Sequence, residues 1–528
     1  MQYSVYSDTE WIYPDSPHSS SRQACLETAR GGHAAFQLLG DALPPRTPLC
    51  ITMEWEKPEG GDGLTLFPGE LLPVGVDENT SPTLMTTLDY DSCREFVTRK
   101  APFYVYDAIR PAEKVLTGTR LALYLCFQAA SDAAPGLRRG TLHVRAGNTQ
   151  LDVPVSCVIH SACIPPAEKA KLGMLNFFSY EELAKQHAVV RESEEYWELF
   201  RQYVRAQLHM RCTHILLPPG RPVYENGRLC GFDFAAAQRA GRIASEEGAP
   251  FLCGGHVAHW AEWTGEEYFL AWDSSIGVTS QEGYLQLRRY FTAWAEIVRE
   301  NGWEGRMTQA LADEPQQGNA RTYRILACIF RRFLPGVPII DAVETTDLGG
   351  GIDIWVPKQD SYEKWRDAFR MLQEAGEEIW FYTCAFPAGR IMNRSMDLPL
   401  AVSRLLLWMG ARYHLSGFLH WGFNYYIGDD IWNRACCPHK GALLPAGDAH
   451  IVYPGTKGPW ISMRYEMQRA GAEEYELFRL LEEARPGRAE EIISPACTDF
   501  RNYTTDPAVV MDVRRRLFEE LDQVNAVS

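Results

Sequence analysis

The sequence predicts an α/β protein: a (β/α)8, TIM-like barrel preceded by an N-terminal antiparallel β-sandwich. Three observations carry the prediction. From Leu172 onward, short apolar runs alternate with longer amphipathic stretches, as buried parallel strands with covering helices require. Before Pro166 the segments are short, alternate in polarity and are cut by Gly, Pro, Asp and Asn, which favours antiparallel sheets over helices. No G-x-G-x-x-G follows the first strand of the later region, so the competing doubly wound open sheet has no dinucleotide site to support it.

In chain order, the first region offers LCITMEWE from Leu49, RLALYLCFQA from Arg120, GTLHVRAG from Gly140 and QLDVPVSCVIH from Gln150, divided by turn-forming pieces such as DAAPG and AGNT. Pro165-Pro166 closes it. Eight barrel strands then follow: GMLNFF at Gly173, THILLP at Thr213, PFLCGG at Pro250, MTQALAD at Met307, VPIIDAV at Val337, IDIWVP at Ile352, EIWFYTC at Glu378 and GFLHWG at Gly417. The spacing predicts helices over about 190–209, 233–247, 281–301, 319–334, 361–376, 397–413 and 459–484. Only ETTDLGGG, between the fifth and sixth strands, is too short and Gly-rich for one. A last helix is expected over about 505–525, and the expected domains are 1–166, 167–490 and 491–528.

The 528 residues amount to about three domains' worth of chain, which excludes a small stapled module. Subtracting 68 acidic from 52 basic residues gives −16, a charge opposed to nucleic acid or an anionic membrane as partner. The aromatic share of 12% is generous, and flat rings stack on the apolar faces of sugars. Fourteen cysteines are scattered (among them Cys25, Cys50, Cys93, Cys126 and Cys157), several inside apolar runs, as reduced thiols packing like small hydrophobes would be. No basic start followed by an apolar stretch and no long apolar span is visible, so the expectation is a cytoplasmic protein. Oligomeric state is not legible.

In a barrel the chemistry sits where strands end and loops converge on one mouth. The fourth strand ends ALADEPQQ, placing Asp313 and Glu314 side by side before a proline that stops regular pairing. Such a pair can divide labour, one carboxyl staying protonated as an acid while the other stays anionic near developing positive charge. Glycoside cleavage needs that division. Adjacent carboxylates suit an arrangement in which the substrate's own 2-acetamido oxygen attacks, with Asp313 orienting the acetamido nitrogen and Glu314 protonating the leaving group. Alternatively, DEP is an acidic helix cap following a strand.

The motifs ALADEP at 310–315, GGGIDIWVPK at 349–358, FYTCAFPAGRIMNRSMDLPLAVSRLLLWM at 381–409, GFLHWGFNYY at 417–426, GDAHIVYPG at 447–455 and ISMRYEMQRAGAEEYELFRLL at 461–481 resemble, in order, the catalytic domain of glycoside hydrolase family 123. The resemblance implies a β-sandwich before a barrel, and exo-acting, retaining hydrolysis of terminal β-linked N-acetylgalactosamine through an oxazoline-type intermediate. It implies the orienting role for Asp313 and the acid/base role for Glu314, without a cofactor or metal. A glycosidase for a non-acetamido sugar and a non-catalytic carbohydrate-binding barrel are the competing readings.

Around the pair, Trp355, Tyr382 and Trp421 end three consecutive strands and are candidates for an aromatic sugar floor, with Tyr382 also able to donate to the acetamido oxygen. Asn424 offers a donor and an acceptor to sugar hydroxyls, and Asn393 falls in the family motif. Asp397 reads as a helix cap and Tyr453 as a rim residue or a turn. His256 follows the third strand within reach of a sugar. Together with His259 it makes His-x-x-His, but it lacks the Glu and the spacing of a zinc helix. Cys436-Cys437-Pro438-His439 has no second ligand pair. Arg464 and Arg469 sit on an amphipathic packing helix, where a solvated or ion-paired role is expected.

Overall fold

A computed structural model describes residues 2–56, 63–79, 97–387 and 389–527. Cys93 lies outside the described residues. Two compact units result, and neither is one continuous stretch: residues 170–384 and 414–423 form one, and the other joins 1–169, 385–413 and 424–528.

The first of these holds a parallel barrel whose eight strands fall inside the eight apolar runs. They are β1 (Gly173–Asn176), β2 (His214–Leu217), β3 (Phe251–Gly254), β4 (Met307–Gln309), β5 (Ile340–Val343), β6 (Ile354–Pro357), β7 (Glu378–Thr383) and β8 (Gly417–His420). Hydrogen-bonded neighbours run β4-β3-β2-β1-β8-β7-β6-β5, and a single parallel bridge from Gln309 to Ile339 joins the two ends, leaving the barrel nearly closed.

Alternate residues fill its interior: Leu175, Cys253, Ala310, Ile340, Ala342, Ile354, Val356, Trp380, Tyr382 and Leu419 form one buried cluster. Trp380 is the largest of them. A Cβ on Gly173 or Gly417 would come within 2.0 Å or 2.1 Å of its ring, so these two strand starts must be glycine for the indole to fit.

Helices Glu194–His209, Ala235–Glu246, Gln281–Glu300 and Ala320–Phe333 occupy the expected links, and β5 passes to β6 without one. Where one helix is expected over 361–376 there are two, Gln359–Lys364 and Arg366–Glu374, because the backbone leaves the helical region at Trp365, φ −114° and ψ 30°. Two insertions not foreseen as strands stand at the carboxyl ends of β2 and β3. One is a hairpin (Arg221–Glu225 with Arg228–Asp233), and the other a three-stranded sheet (Ala258–Trp260, Tyr268–Leu270, Asp273–Gly277).

The second unit contains the antiparallel sheet region. A seven-stranded sheet orders Tyr3–Ser7, His33–Ala42, Arg120–Ala129, Leu64–Val76, Phe103–Pro111, Pro459–Ser462 and Tyr453–Pro454; a four-stranded sheet orders Ala24–Arg30, Thr149–Cys163, Gly136–Ala146 and Leu49–Trp55. One buried cluster draws Phe36, Leu38, Leu123, Leu125 and Phe127 from the first sheet and Leu142, Val144, Val153 and Val155 from the second. Two features depart from the expectation of a purely antiparallel, purely N-terminal region. Ala24–Arg30 runs parallel to Thr149–Cys163, and two strands of the larger sheet come from beyond residue 450.

Helix Val402–Arg412, between β7 and β8 in the chain, belongs to this unit and packs on Met463–Ala484. Asp397 does not cap it: the helix begins five residues later, and the Asp397 carbonyl instead accepts the Thr98 amide at 2.7 Å. Helix Met463–Ala484 is buried nearly all round, so Arg464 and Arg469 are ion-paired without being solvated. Arg464 grips Asp107 at 2.9 Å with neither side chain exposed, and Arg469 meets Glu473 at 3.0 Å and also Glu466. Thirteen free cysteines are described, Cys126, Cys157, Cys212 and Cys253 among the buried ones. Among the described residues no helix is long and apolar enough to cross a membrane.

Candidate active site

β4 ends at Gln309, and the chain then runs through buried Ala310, Leu311 and Ala312 to the carboxylate pair. Asp341 of β5 fixes that approach. Wholly buried, it accepts the amides of Leu311 and Ala312 at 2.9 Å and 3.3 Å and the Tyr323 hydroxyl at 2.5 Å. Its other oxygen lies 3.0 Å from His256 Nε2. Next comes a departure from extended backbone, since Glu314 sits at φ +44°, a left-handed conformation uncommon outside glycine. This turn lets consecutive side chains reach one mouth rather than opposite faces of a strand. The helix after the pair starts at Ala320 with Asn319 as its cap, so Asp313 and Glu314 are not capping residues.

Both carboxylates are half-buried. Burial pushes the Asp313 carboxyl up, opposed by His256 and reinforced by Asp341. Burial, then the Asp313 charge, pushes Glu314 up to about 8, against the lowering effect of its hydrogen bond from Tyr382. For His256, burial works against the charged form, but the Asp341 carboxylate with Asp313 and Glu314 outweighs it and raises the imidazole. Neighbouring carboxyls with raised proton affinity around an imidazole that is also raised form a site able to hold a proton at neutral pH and deliver it.

Across the barrel, the Tyr382 hydroxyl contacts Glu314 Oε1 and lies 2.9 Å from Glu344 Oε1. Glu344, just past β5, is held by Lys358 Nζ at 2.7 Å and Ser361 Oγ at 2.7 Å, and its amide donates to the Pro315 carbonyl at 3.0 Å. Phe177, just past β1, meets the His256 ring edge-on with centroids 5.6 Å apart.

The sequence candidates separate. Asp313, Glu314, His256 and Tyr382 are tied together by the contacts and charges above. Trp421 follows β8, half-buried beside the His420 ring. Trp355 does not join them: strand alternation puts Ile354 and Val356 in the barrel and turns its ring outward against Phe369, its indole N–H going to Glu377 at 3.2 Å. It is a core residue between strand and helix. His259 pairs with Phe269 in the three-stranded sheet. Asn393, Asn424 and Tyr453 belong to the other unit. Asn393 accepts the Arg394 amide at 2.8 Å, and Asn424 bridges to His450. Tyr453 has no exposed surface with which to rim a pocket; it donates to Asp107 at 2.6 Å and stacks on Trp432. Cys437–His439 forms a short strand with Ala442–Leu444, with no metal-ligand grouping of three His, Cys, Asp or Glu among the described residues.

Sequence reasoning missed Asp341, Glu344, Lys358 and Phe177. A signal was present for the first three, because each is a charged residue inside or just after an apolar strand run.

Residues 255–481 match the family model described as the glycoside hydrolase 123 catalytic domain. That segment resembles a family 123 catalytic domain, and the chain is a glycosidase. The matched segment of this glycosidase opens at the end of β3 and includes Asp313, Glu314, Glu344, Lys358, Tyr382 and Trp421. Its fold is similar to that of a family 123 glycoside hydrolase from Clostridium perfringens, studied for glycolipid glycan hydrolysis, at TM-score 0.74 and 11% identity over 100% of this chain and 98% of the other. A GH10 xylanase with a bacterial Ig-like domain from termite gut aligns at TM-score 0.35 and 11% identity, over 67% of this chain and 90% of the other. An endo-β-1,4-mannanase from Thermotoga petrophila aligns at 0.38 and 11%, over 59% and 78%. No curated protein matches the sequence.

Proposed function

We propose that this glycosidase removes terminal β-linked N-acetylgalactosamine, acting from the chain end by a substrate-assisted, retaining mechanism. Asp313 orients the acetamido N–H so that its carbonyl oxygen attacks the anomeric carbon. Glu314 protonates the leaving oxygen and then serves as base toward water. The observation that carries this reading is the left-handed turn at Glu314, which brings two consecutive carboxyls with raised proton affinity to the carboxyl end of one barrel strand. Separately placed carboxylates across the sugar, as direct displacement needs, are not what adjacency offers.

His256, held by Asp341, faces Asp313 as a positive partner and keeps its carboxylate available to the acetamido group. Trp421 supplies a ring face to the sugar. Tyr382, its hydroxyl engaged by two carboxylates, serves Glu314 rather than the acetamido oxygen. Glycans carried by glycolipids, the subject of work on the Clostridium protein, are the natural substrates to try first. The free thiols support a reducing, cytoplasmic setting.

Proton NMR of the first sugar released from an aryl β-N-acetylgalactosaminide tests the mechanism. The β-anomer is expected first, and initial appearance of the α-anomer would reject retention.

A further inference from the structure

Tyr382 presents one hydroxyl oxygen to two carboxylate oxygens, Glu314 Oε1 and Glu344 Oε1. A phenol has one proton to donate, so it satisfies only one anion. The other carboxyl must carry its own proton and donate it to the phenol oxygen. The two candidates differ in their remaining partners. Glu344 receives Lys358 Nζ at 2.7 Å and Ser361 Oγ at 2.7 Å, a cation and a hydroxyl that favour the anion. Lys358 is itself buried, so its charge is poorly screened by water. Glu314 faces the Asp313 carboxylate instead.

We infer that Glu344, Lys358 and Ser361 are positioning residues that, through Tyr382, hold the proton on Glu314 before the first chemical step. The inference rests on the acid role proposed for Glu314. In the loaded state the Glu314 O–H donates to the Tyr382 oxygen, and the Tyr382 O–H donates to Glu344. When Glu314 gives its proton to the glycosidic oxygen, the anomeric C–O bond breaks with its electron pair going to that oxygen, while the acetamido oxygen bonds to the anomeric carbon. Glu314 is now an anion, and the Tyr382 O–H rotates to it. Glu344 keeps Lys358 and Ser361. In the second step water loses a proton to Glu314 as its oxygen replaces the acetamido oxygen on the anomeric carbon, and the starting arrangement returns. No net proton enters the relay.

Infrared difference spectra at neutral pH read the proton directly, through the carbonyl stretch of a protonated carboxyl. The band is expected in the wild type, lost in Glu314→Gln and weakened in Glu344→Gln. A band that survives Glu314→Gln, or its absence from the wild type, overturns the inference, and that comparison stands even if Glu344→Gln does not fold. In folded Glu344→Gln, the basic limb of kcat/KM moves to lower pH by about one unit, because an anion near the acid is gone and the Lys358 charge is less compensated. An unmoved limb also overturns it. The two readings fail separately: Glu314→Gln that retains turnover of poor leaving groups removes the acid role, whereas lost turnover with the band on the wrong carboxyl removes only the relay.

Discussion

Asp341 and His256 are joined by a 3.0 Å contact, and the same buried carboxylate holds the backbone of Leu311 and Ala312 directly ahead of the proposed catalytic pair. One side chain therefore positions both the imidazole and the strand end. Asp341→Asn keeps the volume, but its amide nitrogen or neutral oxygen must face donors that now meet an anion. We expect a loss of about 2–3 kcal/mol in unfolding free energy by denaturant titration, with a fall in kcat/KM of about 10²-fold or more.

The stability from this pair has a defined pH sense. The folded protein raises the His256 imidazole above its ordinary value of 6.5 despite burial, so protonation favours the folded state. The contribution is fully present below about pH 6.5 and disappears as pH rises through the folded value. The stability gap between wild type and His256→Gln, followed by thermal melts from pH 5 to 9, should narrow across that window; a gap that widens with pH would reverse the assignment.

Glu314 has the opposite consequence. Its carboxyl, raised to about 8 first by burial and then by Asp313, is protonated in the folded chain where the unfolded chain is already ionised. Stability is therefore lost as pH rises from about 4.5 to about 8, and Glu314→Gln should melt increasingly above wild type over that range. In the wild type, kcat/KM should fall above about pH 8 as the acid loses its proton.

General-acid assistance matters in proportion to how poor the leaving group is. Glu314→Gln should lower turnover by about 10²- to 10⁴-fold on alkyl or sugar aglycones and far less on dinitrophenyl glycosides, in a series of initial rates.

The two tryptophans should behave differently. Trp421→Ala, removing a half-buried ring at the end of β8, is expected to raise KM by about tenfold. Trp355→Phe, on the outward face of β6 against Phe369, should lower the melting temperature and leave KM within about twofold.

That contrast shows what the sequence makes legible. Eight apolar runs locate the barrel strands because buried parallel strands need unbroken hydrophobic stretches, and the acidic pair in ALADEP marks the candidate site, although β4 already ends at Gln309, six residues before Pro315. Which face a strand residue uses depends on register, and one position separates inward Val356 from outward Trp355. For Arg464 and Arg469 the sequence leaves solvated and ion-paired roles both open, because helical periodicity carries no information about buried partners such as Asp107 and Glu466. Glu344 and Lys358 are 14 residues apart, and only the pairing of β5 with β6 brings them together.

The proposed mechanism turns on the acetamido group acting through the Asp313-Glu314 pair, and initial rates on matched aryl β-N-acetylgalactosaminide and aryl β-galactoside test that most directly. It predicts cleavage of the first, abolished by Asp313→Ala, with no measurable cleavage of the second. Cleavage of the plain galactoside but not of the acetamido sugar would contradict it.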